Sequence, residues 1–526
     1  MNLEVYETFT ETHQWGILWV EMFLVGSALL IMILQTLLGV EMKKLIPGFA
    51  TMLLGIITMI FIGVMLYEVP SGIWFGGLIA GDMITNGFRL FLLLTSFFVC
   101  LISMVFFESR SISNVQFYAI LLIVTACMCL LVQSNHIVML FVSVELVTIG
   151  FYCLMNNKSN RFFGFEAGMK YFIFWGISST ILLLGIFLLY ANIGYQSDGL
   201  DIINGFSFSD INALTREYSE MFWIKAGALL LVAGLFLKIG LAPFHIWLPD
   251  VCQIAPTPVT ALIELSLKGV GFALLLLLFR PGGALAALGE EFIPIFSVLA
   301  GLSILWGSLS GLGERNVKRL IGFSGIAHSG YLLLGMIVYI NEPDNGFIIS
   351  VMFFYLFSYL FASLAVFGVM VHWGGDNDAD QQQEHYVNLA NDNPFFALIM
   401  LTGLSSLAGI PPMAGFIAKF LLFMVTFEAE LWGLLTVAIL GFAISSYYYF
   451  GWIREVFFKP SHAYNSPKDK KWIPARSLFK SFWVGIVLLL FLLGIYQGDW
   501  LRMFVNPEKS MDSYESIRGT TVLISD

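Results

Sequence analysis

Apolar stretches of about twenty residues recur from one end of the sequence to the other. As a helix, each is long enough to cross a hydrocarbon core about 30 Å thick. Fourteen such spans can be drawn, beginning near residues 15, 47, 85, 114, 135, 167, 221, 256, 291, 318, 346, 394, 431 and 479. Inside lipid every peptide group must find its partner within the protein, which leaves helices and closed barrels as the possible folds. A barrel would show short alternating segments, whereas these runs are continuous. The expectation is an all-α polytopic membrane protein with 14 transmembrane helices. Only 12% of the 526 residues are charged, against about a quarter in soluble domains. The first run follows an acidic start free of Lys and Arg (MNLEVYETFTETHQ) and is too long for the core of a cleaved signal, so it is read as an uncleaved span.

Charge counting orients the spans. Loops on one side hold Lys43, Lys44, Arg110, Lys158, Arg161, Arg315, Lys318 and Arg319, and the 454–480 segment adds Arg454, Lys459, Lys468, Lys470, Lys471, Arg476 and Lys480. The other side holds Arg216, Arg280, Arg502, Lys509 and Arg518. This bias assigns the first set to the cytoplasm and both termini to the outside. The loop 374–393 (GGDNDADQQQEHYVNLANDN) falls on the cytoplasmic side without a single Lys or Arg. It reads as a solvated connector or as a docking strip for another subunit. The net charge of −10 is modest for this size and points to no nucleic-acid partner.

Two spans carry proline breaks, at Pro243 in LFLKIGLAPFH and at Pro411–Pro412 in SLAGIPPMAGFIAKF. Proline removes a donor and clashes with the preceding turn, and the freed carbonyls need protein or trapped water. The breaks fall in spans 7 and 12, five apart. Because five is odd, two five-helix units would run in opposite directions across the membrane, as in inverted-repeat transporters. The chain is therefore expected to be one membrane domain, 1–526. Spans 1–3 lie in 1–110, the first repeat (helices 4–8) in 111–280 and the second (helices 9–13) in 291–455. Helix 14 spans 479–500, and 501–526 form an extramembrane tail.

Four ionisable groups lie deep in these spans: Glu145, Lys238, Lys268 and Lys419. A charge at the bilayer centre costs roughly 2.5–3.5 kcal/mol on insertion scales and marks a functional site by default. A bridge of about 4 Å between Glu145 and Lys238 would be worth roughly 4 kcal/mol at an effective dielectric near 20. That is similar to the cost of moving one charge through about 170 mV. Glu264 precedes Lys268 by one helical turn on the same face and could tune it. Lys170 lies near the start of its span, where it could snorkel as readily as function. His245, after Pro243, and His328, in GFSGIAHSGYLL, are possible relays that titrate near neutrality, though such histidines are often satisfied core residues. Lys225 and Arg89 read as interfacial anchors, the five cysteines as buried small hydrophobes, and the aromatic wealth as packing material. No GxGxxG, Walker loop or clustered Cys/His set is present, so no cofactor or metal site is expected in this chain.

The stretch LKIGLAPFHIWLPDVCQIAPTPVTALIELSLK resembles the helix 7–8 signature of the antiporter-like membrane subunits of respiratory complex I. VELVTIGFY…FEAGMKYF, NVKRLIGFSGIAHSGYLLLG and NPFFALIMLTGLSSLAGIPPMAGFIAKF are similar to the helix 5–6, 10 and 12 signatures, and together the resemblance covers about residues 80–455. Of the family's three paralogous types it looks most like the N type, given PDV-x-Q-x-APTPVT, EAGMKYF and lysine at both Lys268 and Lys419. The M type would be expected to carry glutamate on helix 12, and the L type a long C-terminal extension. The resemblance implies Glu145, Lys238, Lys268 and Lys419 as proton-pathway residues, with no redox chemistry in this chain. It implies flanking membrane subunits, lipid contact, a bacterial cell membrane, and a peripheral arm that carries FMN and iron–sulfur clusters and reduces quinone. Glu264 departs from the small or apolar residue the family leads one to expect. Two rival expectations are a subunit of a multisubunit cation/proton antiporter and a membrane-bound hydrogenase or ferredoxin-driven relative. A third is a structural scaffold within the complex.

Overall fold

The computed structural model describes residues 15–37, 45–67, 71–109, 115–156, 161–196, 206–372, 378–458, 477–496 and 498. The N-terminal lead, the 501–526 tail, most of the 454–480 basic segment and Lys43, Lys44, Arg110 and Lys158 lie outside the described residues. The principal helices are α1 (Trp19–Leu37), α2 (Ile46–Tyr67), α3 (Met83–Ser109), α4 (Val115–Val132), α5 (Ile137–Met155) and α6 (Arg161–Gln196). They continue as α7 (Phe222–Ile239), α8 (Trp247–Ile254), α9 (Thr257–Phe279), α10 (Gly289–Leu312), α11 (Val317–Asn341) and α12 (Gly346–Met370). The last are α13 (Pro394–Ala408), α14 (Ala414–Glu428), α15 (Trp432–Phe457) and α16 (Ser477–Ile495).

Among the described residues, 12 helices are long and apolar enough to cross a membrane, and two apolar stretches, Pro394–Ala408 and Lys480–Ile495, are shorter. The protein is an all-helical polytopic membrane protein in its spans. One departure is a small antiparallel hairpin before α3, β1 (Gly72–Trp74) paired with β2 (Ile79–Gly81). Two three-residue strands are too short to show a usable periodicity in sequence.

Burial sorts the helices into layers. Every residue of α9 is buried, and α11 and α12 are almost wholly enclosed. A helix that is apolar all round and surrounded by protein marks the centre of a bundle. The outer helices, such as α1, α2, α6 and α15, keep large apolar side chains exposed on one side. Where α6 meets α7 the contact is made by small residues. A β-carbon added at Gly234 would lie 2.8 Å from Leu182 Cβ, the close approach that small residues permit between membrane helices.

Both predicted breaks are present, and each starts in the same way. Gly240 (φ 78°) ends α7 and Gly409 (φ 80°) ends α13. The left-handed backbone that glycine tolerates lets the next amides turn back onto the last carbonyls: Gly240 N and Leu241 N both donate to Phe236 O. The corresponding amides Gly409 N and Ile410 N donate to Ser405 O. Pro243 and Pro411–Pro412 then prevent the helix from resuming until α8 and α14.

Two surface assignments need correction. Arg89 is buried, not an interfacial anchor, and pairs at 2.9 Å with Glu21 of α1, which also accepts from Gln133 Nε2 at 2.7 Å. Glu21 is thus a further buried carboxylate that lay too near a span end to be noticed. Lys318, counted as a loop charge, is completely buried and bonds to Asp378 at 2.9 Å. Cys153 is exposed, whereas the other four cysteines are buried.

The described part of the 374–393 loop, from Asp378 onward, packs onto the bundle. Val317 N donates to Gln381 O and Gln383 N to Arg315 O, so the segment runs as a strap beside the start of α11. Asp378 accepts from Thr257 N (2.9 Å) and Thr257 Oγ1 (2.8 Å), capping α9 from 121 residues further along the chain. Pro256 precedes α9 and supplies no side-chain cap, so the remote carboxylate does the work of an N-cap. Lys318 Nζ also donates to Ala255 O. Removing one partner of a buried ion pair typically costs about 3–5 kcal/mol. Asp378→Ala is therefore expected to lower thermal stability by that order. Adding Lys318→Met should recover most of the loss, as read by melting of the purified assembly.

Candidate functional site: a row of buried amines

The first cluster joins α5, α6 and α7. Lys238 is in the last turn of α7, buried, and 3.6 Å from Glu145 of α5. Ser179 of α6 sits between them, donating to Glu145 Oε1 and accepting from Lys238 Nζ at 3.0 Å. The ammonium also lies 4.4 Å from the Trp175 ring centroid, a favourable cation–π distance. Glu145 is the less enclosed partner, its side chain 31% exposed on the outer flank of α5. Val142, Leu146 and Ile149 are exposed beside it, so a carboxylate opens onto an otherwise apolar face.

A cavity of about 20 Å³ adjoins Lys238 and is otherwise lined by apolar groups, including Trp175, Leu267, Val270 and Gly271. Its size matches about one water molecule.

The second cluster is at the centre. Lys268 Nζ lies 2.6 Å from Glu264 Oε2, one turn back on α9, and both side chains are buried. It also donates to Glu264 O at 2.9 Å. Tyr359 of α12 donates to Glu264 Oε2 at 3.2 Å, and its ring centroid is 5.0 Å from Lys268 Nζ.

From there aromatic groups lead toward the second break. The His328 ring of α11 is 4.6 Å from Tyr359 and 6.2 Å from Tyr331, and His328 Nδ1 shares a 2.6 Å hydrogen bond with Tyr355 Oη. Lys419 Nζ lies 5.5 Å from the Tyr331 centroid and 5.2 Å from that of Phe442. Lys419 is buried and donates to Leu407 O (2.8 Å) and Ala408 O (3.4 Å), the last carbonyls of α13. A cation at a half-helix C-terminus meets the negative end of the dipole. Among the described residues no carboxylate forms an ion pair with Lys419.

The remaining candidates are placed differently. Lys170 is part-exposed and bonded to Glu166 (3.1 Å) and to Asp250 of α8 (3.5 Å), at the protein surface. His245 is buried within the first break with its ring against Trp306 at 5.5 Å. It forms no hydrogen bond with any lysine among the described residues. In that break Leu237 O is satisfied by Trp247 Nε1 at 3.0 Å, which leaves Lys238 turned sideways to Glu145.

Sequence reasoning missed Ser179, Trp175, Cys252, Tyr331, Tyr355 and Tyr359. The tyrosines had a signal that went unused: 328 and 331, and 355 and 359, are spaced one turn apart inside apolar runs.

Comparison with known proteins bears on this arrangement. The family described as NADH:quinone oxidoreductase/Mrp antiporter, transmembrane, matches residues 134–445. The chain belongs to this family. Within the antiporter-like subunits it groups with subunit N. It is 38% identical to NADH-quinone oxidoreductase subunit N 1 of Opitutus terrae over 95% of this chain and 99% of that one. A chain of respiratory complex I from Thermus thermophilus superposes with a TM-score of 0.72 at 25% identity, covering 92% of this chain and 98% of that one. A chain of the Mrp complex from Dietzia sp. DQ12-45-1b shares the fold, with a TM-score of 0.75, 18% identity, and 93% and 97% coverage. As a member of this family the chain is an antiporter-like membrane subunit.

The different anchoring of the two break lysines has a measurable consequence. Lys419→Met would strip Leu407 O of its charged donor, a loss of about 1.5–3 kcal/mol. Lys238→Met leaves the carbonyls of its break bonded as before but unpairs Glu145. In purified complex the Lys419 variant is therefore expected to melt below a Lys238→Met/Glu145→Gln double variant, which removes both charges of the first pair.

Proposed function

We propose that the chain works as subunit N of a proton-pumping NADH-quinone oxidoreductase, carrying protons across the membrane while quinone is reduced elsewhere in the complex. The observation that carries this reading is the Glu145–Ser179–Lys238 cluster at the end of a broken helix. An ion pair worth roughly 4 kcal/mol at an effective dielectric near 20 is on the scale of moving a proton against about 170 mV. Opening the pair therefore changes the hold of Lys238 on its proton by enough to matter.

The route begins with uptake near α7–α9, where Lys170 and Asp250 pair at the protein surface. It runs laterally from Lys238 through Lys268 to Lys419 and leaves on the opposite side. The aromatic run Tyr359–His328–Tyr331 supports the step from Lys268 to Lys419. Fourteen spans are proposed, pairing α13 with α14 as one broken span and counting α16. Helices 4–8 and 9–13 are inverted repeats within 111–280 and 291–455, supported by the matching glycine–proline breaks. Both termini lie outside the cytoplasm of a bacterial cell membrane. Other membrane subunits pack on both flanks, and the part-exposed Glu145 favours a protein neighbour over lipid at its face. FMN, iron–sulfur clusters and quinone belong to partner subunits.

Lys238→Ala and Glu145→Gln should each lower proton pumping by assembled complex in liposomes at least about ten-fold, since a loss of only 1.4 kcal/mol is already that factor. Full pumping by Lys238→Ala would sink the assignment. Flavin and iron–sulfur polypeptides should co-purify with the chain; recovery of membrane polypeptides alone would favour the cation/proton antiporter.

A further inference from the structure

Four helices converge on the Glu264–Lys268 pair, and each contributes something specific. From α8, Cys252 donates its thiol to Glu264 Oε1 at 3.2 Å. From α12, Tyr359 donates its hydroxyl to Oε2 at 3.2 Å. Lys268 of α9 itself takes Oε2 at 2.6 Å. From α11 comes an omission: a β-carbon on Gly325 would collide with Glu264 Oε2 and lie 2.8 Å from Lys268 Nζ. Glutamate is held here by a thiol, a phenol and an ammonium, in a space kept open by a residue without a side chain. Such a carboxylate is a built counter-charge, not a leftover of composition. Buried charges persist where they are paired and hydrogen-bonded.

Resting on the reading of Lys268 as the central relay, we propose that Glu264 is a positioning residue whose carboxylate fixes the Lys268 amine at the centre of the row. The central station of this chain is then a carboxylate–ammonium pair and not a lone amine. Glu264 stands to Lys268 as Glu145 stands to Lys238, with one difference. Glu145 is on another helix and part-exposed, whereas Glu264 is on the same helix and fully enclosed. The first pair is the more accessible and the second the more enclosed. Other ionisable groups around the pair are Cys252 of α8 and Tyr359 of α12, both bonded to Glu264, and His328 of α11, which lies against Tyr359 and is bonded to Tyr355. Lys318 of α11 lies further off, beside the start of α9. Lys238 of α7 lines a small cavity together with Leu267 and Val270 of α9. No side chain of α3, α4 or α5 bonds to either partner among the described residues.

A buried ammonium is costly unless a counter-charge and hydrogen bonds accompany it. Without the carboxylate, the contacts described here leave Lys268 with no counter-charge beside it.

The test measures protons pumped per NADH oxidised by the assembled complex in liposomes, with the amount of assembled complex followed in parallel. Glu264→Gln keeps the shape and the acceptor for Cys252 or Tyr359 but removes the charge. It should lower the ratio at least about ten-fold, as a loss of about 1.4 kcal/mol would, and Glu264→Asp should restore it. Gly325→Ala keeps both charges but crowds the pair, and should lower the ratio in the same direction. An unchanged ratio in Glu264→Gln, or in Gly325→Ala should the former not assemble, overturns the proposal; so does an Asp variant that behaves like Gln. Lys268→Ala separates the two levels. Unchanged pumping in that variant defeats the relay itself, whereas lost pumping there with an unchanged ratio in Glu264→Gln defeats only the role of the carboxylate.

Discussion

A carbonyl or amide without a partner in hydrocarbon costs several kcal/mol, and each of the two breaks in this bundle frees several at once. The structure answers with local devices that are not alike. In the first break an indole takes the carbonyl of Leu237 and a serine from α10 takes the amide of Ala242. In the second a lysine takes Leu407 and Ala408, helped by Ser446. The satisfaction of backbone groups thus decides what each neighbouring lysine is free to do. Lys238 is released to face a carboxylate, and Lys419 is held by its own broken helix.

That difference orders the charged groups along the bundle. A loosely enclosed pair stands at one flank, a tightly enclosed pair at the centre, and an amine on helix carbonyls beyond it. The aromatic side chains of α11 and α12 fill the interval between the second and third. The fully enclosed α9 carries the middle station because only a helix surrounded by protein can hide an ion pair from lipid on every side.

Much of this was legible in the chain. The spans follow from apolar runs, the breaks from Pro243 and Pro411–Pro412, and the deep lysines from their distance to any span end. Less local features were not legible. Arg89 looked interfacial because it is near a span end, and Glu21 near another drew no reading, yet they meet across 68 residues and shield one another. Lys318 counted as a loop charge because nothing in its neighbourhood hints that Asp378 will return to cover it. Ser179 is an ordinary small polar residue in sequence, and only the crossing of α5, α6 and α7 puts it between two charges. Periodicity reads one helix at a time; contacts between helices are set by which faces meet.

The strap that caps α9 has a bearing on biogenesis. Thr257 and Asp378 are separated by 121 residues, and the ion pair closing the far end of the same helix, Asp82 with Arg280, spans 198. A ribosome delivers the central helix long before it delivers the carboxylate that finishes its start. Through that interval only solvent or the insertion machinery can occupy the vacant amide. The innermost element of the bundle is therefore among the last to be sealed, and its completion waits on translation of the second half.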